Sequence, residues 1–239
     1  MHINWNYIKV LLLLVLVGFL YAFSAKRNSV RKVAQPDIKF VGDDNLFVTH
    51  ETVSKLLIQN QASVANTPKD IIDLNALESA LNSNPLIKQT QVFMAVDGLI
   101  TAQIEQKKPI ARVSTNASYY IDEKGSYMPL STNYTARVPL VTGHVEKNAL
   151  VNVHAIAAKI QSDAFLKMHV VEIRQNVDKT IDLKLRSHDF KIHLGTLEAM
   201  DKKINNLKAF YKKAMKDDVL DDYQLVNLKF DKQVICTKI

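Results

Sequence analysis

The chain has 239 residues, 47% apolar and 23% charged, enough for one large or two ordinary domains. This excludes a disulfide-stapled miniprotein and a disordered tail. The lone cysteine, Cys236, permits no internal disulfide, so packed cores must supply the stability. The formal charge of +7 is uneven: residues 1–32 hold Lys9, Lys26, Arg27, Arg31 and Lys32 with no acid, which leaves only +2 for the remainder. Basic residues beside an apolar segment suit anionic lipid, and a near-neutral remainder has little grip on nucleic acid. The six glycines are too scattered to cradle a phosphate, which argues against P-loop or Rossmann chemistry.

Residues 1–9 read as a short leader and residues 10–25, VLLLLVLVGFLYAFSA, as a transmembrane helix without a charge. Ile8 extends the run across Lys9, whose ammonium can snorkel to the headgroups. Trp5 and Tyr7 before the segment and Tyr21 within it fall where aromatic side chains anchor a helix at the interface. Ala22-Phe23-Ser24 has small residues at peptidase spacing, but the bulky stretch from Phe19 and the length of the apolar run favour a retained anchor over a cleaved signal. Residues 26–35 are polar and basic and read as a linker.

A folded unit is expected over 36–110. Ile38 and Phe40 mark a strand, and Gly42-Asp43-Asp44-Asn45 a turn. Thr49 caps a helix that carries Glu51 in its first turn and Val53, Leu56 and Leu57 on one face. A second helix starts near Asp73 with Leu74, Leu77 and Leu81, and Asn82-Ser83-Asn84-Pro85 stops it. The period then changes from 3.6 to 2: Val92, Met94 and Val96 alternate, Asp97-Gly98 reads as a two-residue hairpin turn, and Ile100, Ala102 and Ile104 alternate against Thr101 and Gln103. Strand, helix, helix, strand, strand makes a small sheet with both helices on one face.

This order resembles a POTRA domain. Asn84-Pro85-Leu86-Ile87 leading into the hairpin, and Glu105-Gln106-Lys107-Lys108-Pro109-Ile110-Ala111 closing the unit, are similar to that family's punctuation. Leader, membrane segment, linker, this domain and about 130 further residues together resemble the FtsQ/DivIB family of bacterial cell-division proteins. The resemblance implies an α+β fold: an N-terminal transmembrane helix, a β-α-α-β-β POTRA domain, then a mixed α/β domain with an antiparallel sheet. It also bears on orientation. Four basic residues follow the apolar segment and only Lys9 and the amino terminus precede it, which by charge alone would keep the domains in the cytoplasm. The resemblance, with a leader too short to form a cytoplasmic domain, sets the opposite expectation: a single-pass inner-membrane protein with its domains in the periplasm.

Over 111–239, Tyr119 to Gly125 read as a strand entering a turn. With Met128-Pro129-Leu130 and Val138 to Gly143 they are similar to a further passage of the family. Val153, Ile156, Ala157 and Ile160 align on a helix, and strands are expected at 170–174, 180–186 and 190–194. Gly195-Thr196 begins a last helix with Leu197, Met200, Ile204, Leu207, Phe210 and Ala214 inward. Lys202, Lys203, Lys208, Lys212, Lys213 and Lys216 coat its solvated face. Tyr223 to Cys236 resemble the family's closing pair of strands, with Asn227 and Lys229 where the family often has Asp and Arg.

No catalytic residue, metal site, cofactor or small-molecule substrate is expected. His188 and His193, read as lying on one strand, point to opposite faces. Cys236 reads as a packed thiol, and Asp217-Asp218 with Asp221-Asp222 as a solvated turn without a calcium-loop pattern. Asn116-Ala117-Ser118 and Asn133-Tyr134-Thr135 fit the glycosylation pattern and carry no weight in a bacterial chain. What the resemblance implies is a non-enzymatic scaffold of the division machinery. Its partners would be single-pass proteins of the FtsB and FtsL type and septal wall synthases, gripped near Tyr223, Leu228, Phe230 and Val234. A POTRA-bearing outer-membrane assembly or secretion component would need a barrel for which the second unit is too short. A tethered cell-wall enzyme would need a nucleophile, metal set or paired carboxylates that the sequence does not offer.

Overall fold

The computed structural model describes residues 5–29, 36–42, 45–60, 72–230 and 233–239. The first four leader residues, residues 30–35 of the linker, and Asp43 and Asp44 of the first turn lie outside that set. Helix α1 (Trp5–Ser29) is longer at both ends than the charge-free run, because Lys26 and Arg27 in its last turn complement the negative helix end. Lys26 to Ser29 are therefore helix where a linker was expected. Its stretch Tyr7–Arg27 is, among the described residues, the one helix long and apolar enough to cross a membrane. At 1.5 Å per residue these 21 residues cover roughly 31 Å, a bilayer's hydrocarbon thickness. Leu11 to Val17 and Phe19 to Phe23 are exposed, an apolar surface of the kind that lipid covers.

The remaining chain divides between Gln106 and Lys107, and each side has its own core. In the first unit the elements are β1 (Asp37–Val41), α2 (His50–Asn60), α3 (Leu74–Asn82), β2 (Ile87–Met94) and β3 (Ile100–Gln106). The sheet order is β1-β3-β2, with β1 parallel and β2 antiparallel to the central strand. Val53 and Leu57 of α2 and Leu77 and Leu81 of α3 bury against Ile100, Ala102 and Ile104 of β3. Thr49 Oγ1 accepts the Thr52 N–H at 3.2 Å, and Asp73 Oδ1 accepts those of Asn75 and Ala76 at 3.0 and 3.1 Å, so both helices start at their caps.

The hairpin differs in detail from the two-residue turn. Gly98 N–H donates to Ala95 C=O and Ala95 N–H to Leu99 C=O, which closes a three-residue loop, Val96-Asp97-Gly98. Gly98 sits at φ +93° as the bulge residue that restores the strand twist.

The second unit is a nine-stranded sheet in the order β12-β11-β10-β9-β8-β7-β4-β5-β6. Its elements are β4 (Pro109–Ser114), β5 (Ser118–Asp122), β6 (Tyr127–Met128), β7 (Leu140–Gly143), α4 (Val151–Ser162), α5 (Ala164–His169), β8 (Val170–Gln175), β9 (Ile181–Leu185), β10 (Lys191–Gly195), α6 (Met200–Lys216), β11 (Tyr223–Asn227) and β12 (Ile235–Lys238). The sheet is mixed rather than wholly antiparallel: β4 and β7, β7 and β8, and β10 and β11 run parallel. A crossover through α4 and α5 joins β7 to β8.

Register places Tyr119, Val113, Val141, Ile173, Leu183, Ile192, Val226 and Cys236 in one row across the sheet. The whole row packs in the core that also takes Val153, Ile156, Ala157 and Ile160 of α4 and Ile204, Leu207, Tyr211 and Ala214 of α6. The helices thus lie on one face.

Three expectations fail here for physical reasons. Helix α6 begins at Met200 rather than Gly195, because Ala199 takes a left-handed φ of +50° that cannot continue a helix backwards. Lys203 is buried, not solvated: only 2% exposed, it donates from Nζ to the Thr196 carbonyl at 2.7 Å and so closes the loop before the helix. His188 lies in the segment before β10 rather than on a strand with His193, and each histidine meets its own carboxylate, Asp221 at 2.7 Å and Asp182 at 2.6 Å.

Candidate partner-binding edge

β11 is built to hold one more strand. Val226 is fully buried at its centre, and the strand pairs parallel with β10 on one side and antiparallel with β12 on the other. It ends where Asn227 Oδ1 accepts the Lys229 N–H at 2.9 Å, an Asx-type turn that either Asn or Asp can make. Leu228 N–H still donates to the His193 carbonyl at 2.8 Å. β12 then closes the sheet, and among the described residues no strand pairs with its outer side. An outermost strand presents a row of unused backbone donors and acceptors. The sheet's other end, β6, is two residues long and followed by Pro129, so it offers far less.

The four residues singled out from the sequence occupy different environments around this edge. Tyr223 is half-buried, its ring 5.1 Å from that of Phe210 in an edge-to-face contact, with Lys238 Nζ 5.7 Å from its centroid. Leu228 is fully buried, and Val234 packs partly on the same core. Phe230 is 44% exposed. Two neighbours that sequence reading passed over, Ile235 and Ile239, are also exposed, at 42% and 91%. The signal for Ile235 was its alternation with Cys236, whose reading as a packed thiol already turns Ile235 outward on a strand. Lys238 pairs with Asp222 at 3.5 Å and Ile239 N–H donates to the Asp222 carbonyl at 2.9 Å, so the chain end is held to the turn before β11.

Burial pushes the Cys236 thiol pKa upward and keeps it protonated, the opposite of an activated nucleophile. Among the described residues no three His, Cys, Asp or Glu side chains group to hold a metal. At the membrane helix Trp5, Tyr7 and Tyr21 are 68%, 74% and 77% exposed, free to meet an interface.

The fold is a POTRA-like domain followed by a mixed α/β domain that ends in an edge strand. A family model for the POTRA-like domain matches residues 41–105, and one described as FtsQ/DivIB, C-terminal related, matches residues 108–237. The chain belongs to the FtsQ/DivIB family. It is similar to the cell division protein FtsQ of Geotalea daltonii, with 22% identity over 178 residues that cover 70% of this chain and 64% of that relative.

Proposed function

We propose that the protein is a non-enzymatic scaffold of the bacterial division machinery, held in the inner membrane by α1, with residues 36–110 and 111–239 as two recognition modules in the periplasm. Family membership and the relative's name support a part in cell division. The observation that carries the scaffold reading is the open edge at β12, flanked by exposed Phe230, Ile235 and Ile239. A partner strand added there gains backbone hydrogen bonds for affinity and apolar contacts for specificity. Leu228 and Val234 support the edge from the core side, and Tyr223 supports its far end. Partners of the FtsB and FtsL type and septal wall synthases are the proposed occupants and clients.

The test is affinity co-purification from membranes. Phe230→Glu should leave the protein in the membrane fraction and folded, yet reduce recovered division partners at least about tenfold, the loss of roughly one buried aromatic contact. Undiminished recovery with intact folding would remove β12 as the capture edge.

A further inference from the structure

A second feature lies elsewhere in the same sheet. β4, β7 and β8 are mutually parallel, and the chain continues from β4 to β5 on one side and from β7 to β8 on the other. Beside the loop that leaves β7, on its β8 side, a cavity of about 450 Å³ opens between the start of α4 and the β8–β9 turn. That size suits a small ligand or the end of a chain.

Its lining combines three unmet requirements. The amino terminus of α4 has no side-chain cap and no acid in its first turn, so its free N–H groups and positive helix end face the cavity through Val151 and Asn152. The Lys179 ammonium, on the opposite wall, has no hydrogen-bond or ion-pair partner among the described residues, the residue's backbone N–H alone being used, on the Asn176 carbonyl at 3.0 Å. Gln175 is 5% exposed; its Nε2 donates to the His144 carbonyl at 2.7 Å, which fixes the amide and leaves Oε1 buried without a donor. Two positive elements therefore seek an anion and one buried acceptor seeks an N–H or O–H. Sulfate would satisfy the first demand and offer Gln175 no donor. Val151 and Val177, 78% and 81% exposed, add aliphatic contact at the walls. Glu146, the one acid among the lining residues, faces His144 Nε2 at 3.7 Å.

We propose that this cavity captures the free carboxyl terminus of a peptide. The carboxylate meets the α4 amides and Lys179, the amide N–H of the last residue reaches Gln175 Oε1, and a small aliphatic terminal side chain rests on Val151 and Val177. Backbone capture of a terminal carboxylate is a known recognition mode, and here the cavity supplies both its donors and its acceptor. The proposal is independent of the β12 edge, so neither stands or falls with the other.

The test titrates the full chain in detergent with acetyl-Lys-Ala-Ala carrying a free carboxyl group, with the same peptide as its carboxamide, and with an acid ending in D-Ala-D-Ala, followed by calorimetry. At least one free acid should bind about tenfold or more tightly than the carboxamide. Asn152→Asp, which places a carboxylate at the helix start without costing helix stability, should abolish that binding, and Lys179→Gln should weaken it. The L- or D-terminated peptide that binds better identifies whether a protein tail or a cell-wall peptide is the source. Equal binding of acid and amide, no binding of either acid at millimolar concentration, or full binding by Asn152→Asp overturns the proposal.

Discussion

Single polar side chains fix several of the loops in this protein, and Gln106 and Asp182 show how. Gln106 is 3% exposed at the end of β3; its Oε1 accepts the N–H groups of Phe47 and Val48 at 2.9 and 3.0 Å while its Nε2 donates to the Val48 carbonyl at 2.9 Å. One amide thus stands in for a short stretch of strand and lets Phe47 and Val48 be buried without orphaned backbone groups. Asp182 is 2% exposed. Burial alone would raise its pKa, but Lys191 at 2.7 Å, Asn176 at 2.9 Å and His193 at 2.6 Å together outweigh that and hold it below the ordinary carboxylate value. A group that is a stronger acid folded than unfolded contributes its full stability above an unfolded pKa of about 3.9 and loses it as pH falls through the lower folded value. Asp182→Asn should therefore lower stability at pH 7 by about 1–3 kcal/mol and flatten the decline below about pH 4. Urea midpoints measured across that pH range check both; an unchanged acid limb would show that this carboxylate is not a source of acid sensitivity. None of these pairings was legible in the sequence: Gln106 and Phe47 are 59 residues apart, and the partners of Asp182, though near in sequence, meet it only through the register of β9 against β10 and the turn before β9. Lys203 misled for a related reason, since its position on a lysine-rich helix gave no hint that the Thr196 carbonyl needed a donor.

At the scale of elements, periodicity carried far. The hairpin of β2 and β3, the capped starts of α2 and α3, and the apolar stripe of α4 follow from spacing and capping chemistry that operate within a few residues. Parallel pairing does not, because it depends on which strands meet after a crossover, and so the mixed character of the second sheet emerged only in three dimensions. Helix α5, six residues long, was also beyond reach of a periodicity argument. It depends on Asp163, whose Oδ1 accepts the N–H groups of Phe165 and Leu166 at 3.1 and 3.2 Å while Oδ2 pairs with Lys208 of α6. Burial opposes the charge on Asp163, yet Lys208 and the two amides still depress its pKa. Cap and ion pair act on one side chain, so Asp163→Ala loses both and should cost about 1–3 kcal/mol, whereas Lys208→Ala, which leaves the cap, should cost less. Thermal unfolding of the two variants tests this order. Equal losses would mean that the ion pair, not the cap, fixes α5.

For the whole molecule, the decisive question is which side of the membrane the two units occupy, and two physical arguments point in opposite directions. The basic residues Lys26, Arg27, Arg31 and Lys32 follow the apolar run, and charge bias alone would retain them, with everything after them, in the cytoplasm. Charge bias is a statistical preference about short flanks; a large domain that follows one membrane helix translocates largely regardless of it. Lys26 and Arg27 also have a second use, since in the last turn of α1 they complement the helix end. The scaffold reading therefore expects residues 36–239 to be cut by protease added to intact bacterial spheroplasts, while a fluorescent protein fused to the amino terminus survives inside and gathers at midcell. A variant without residues 1–32 should leave the membrane fraction entirely, because the remaining chain has no other described helix apolar and long enough to hold it there. Protection of residues 36–239 in intact spheroplasts with digestion only after lysis would place the β12 edge in the cytoplasm and end the proposed periplasmic role. Continued sedimentation of the truncated chain with lipid would show instead that a surface of the folded units binds the bilayer, and α1 would lose its standing as the single anchor.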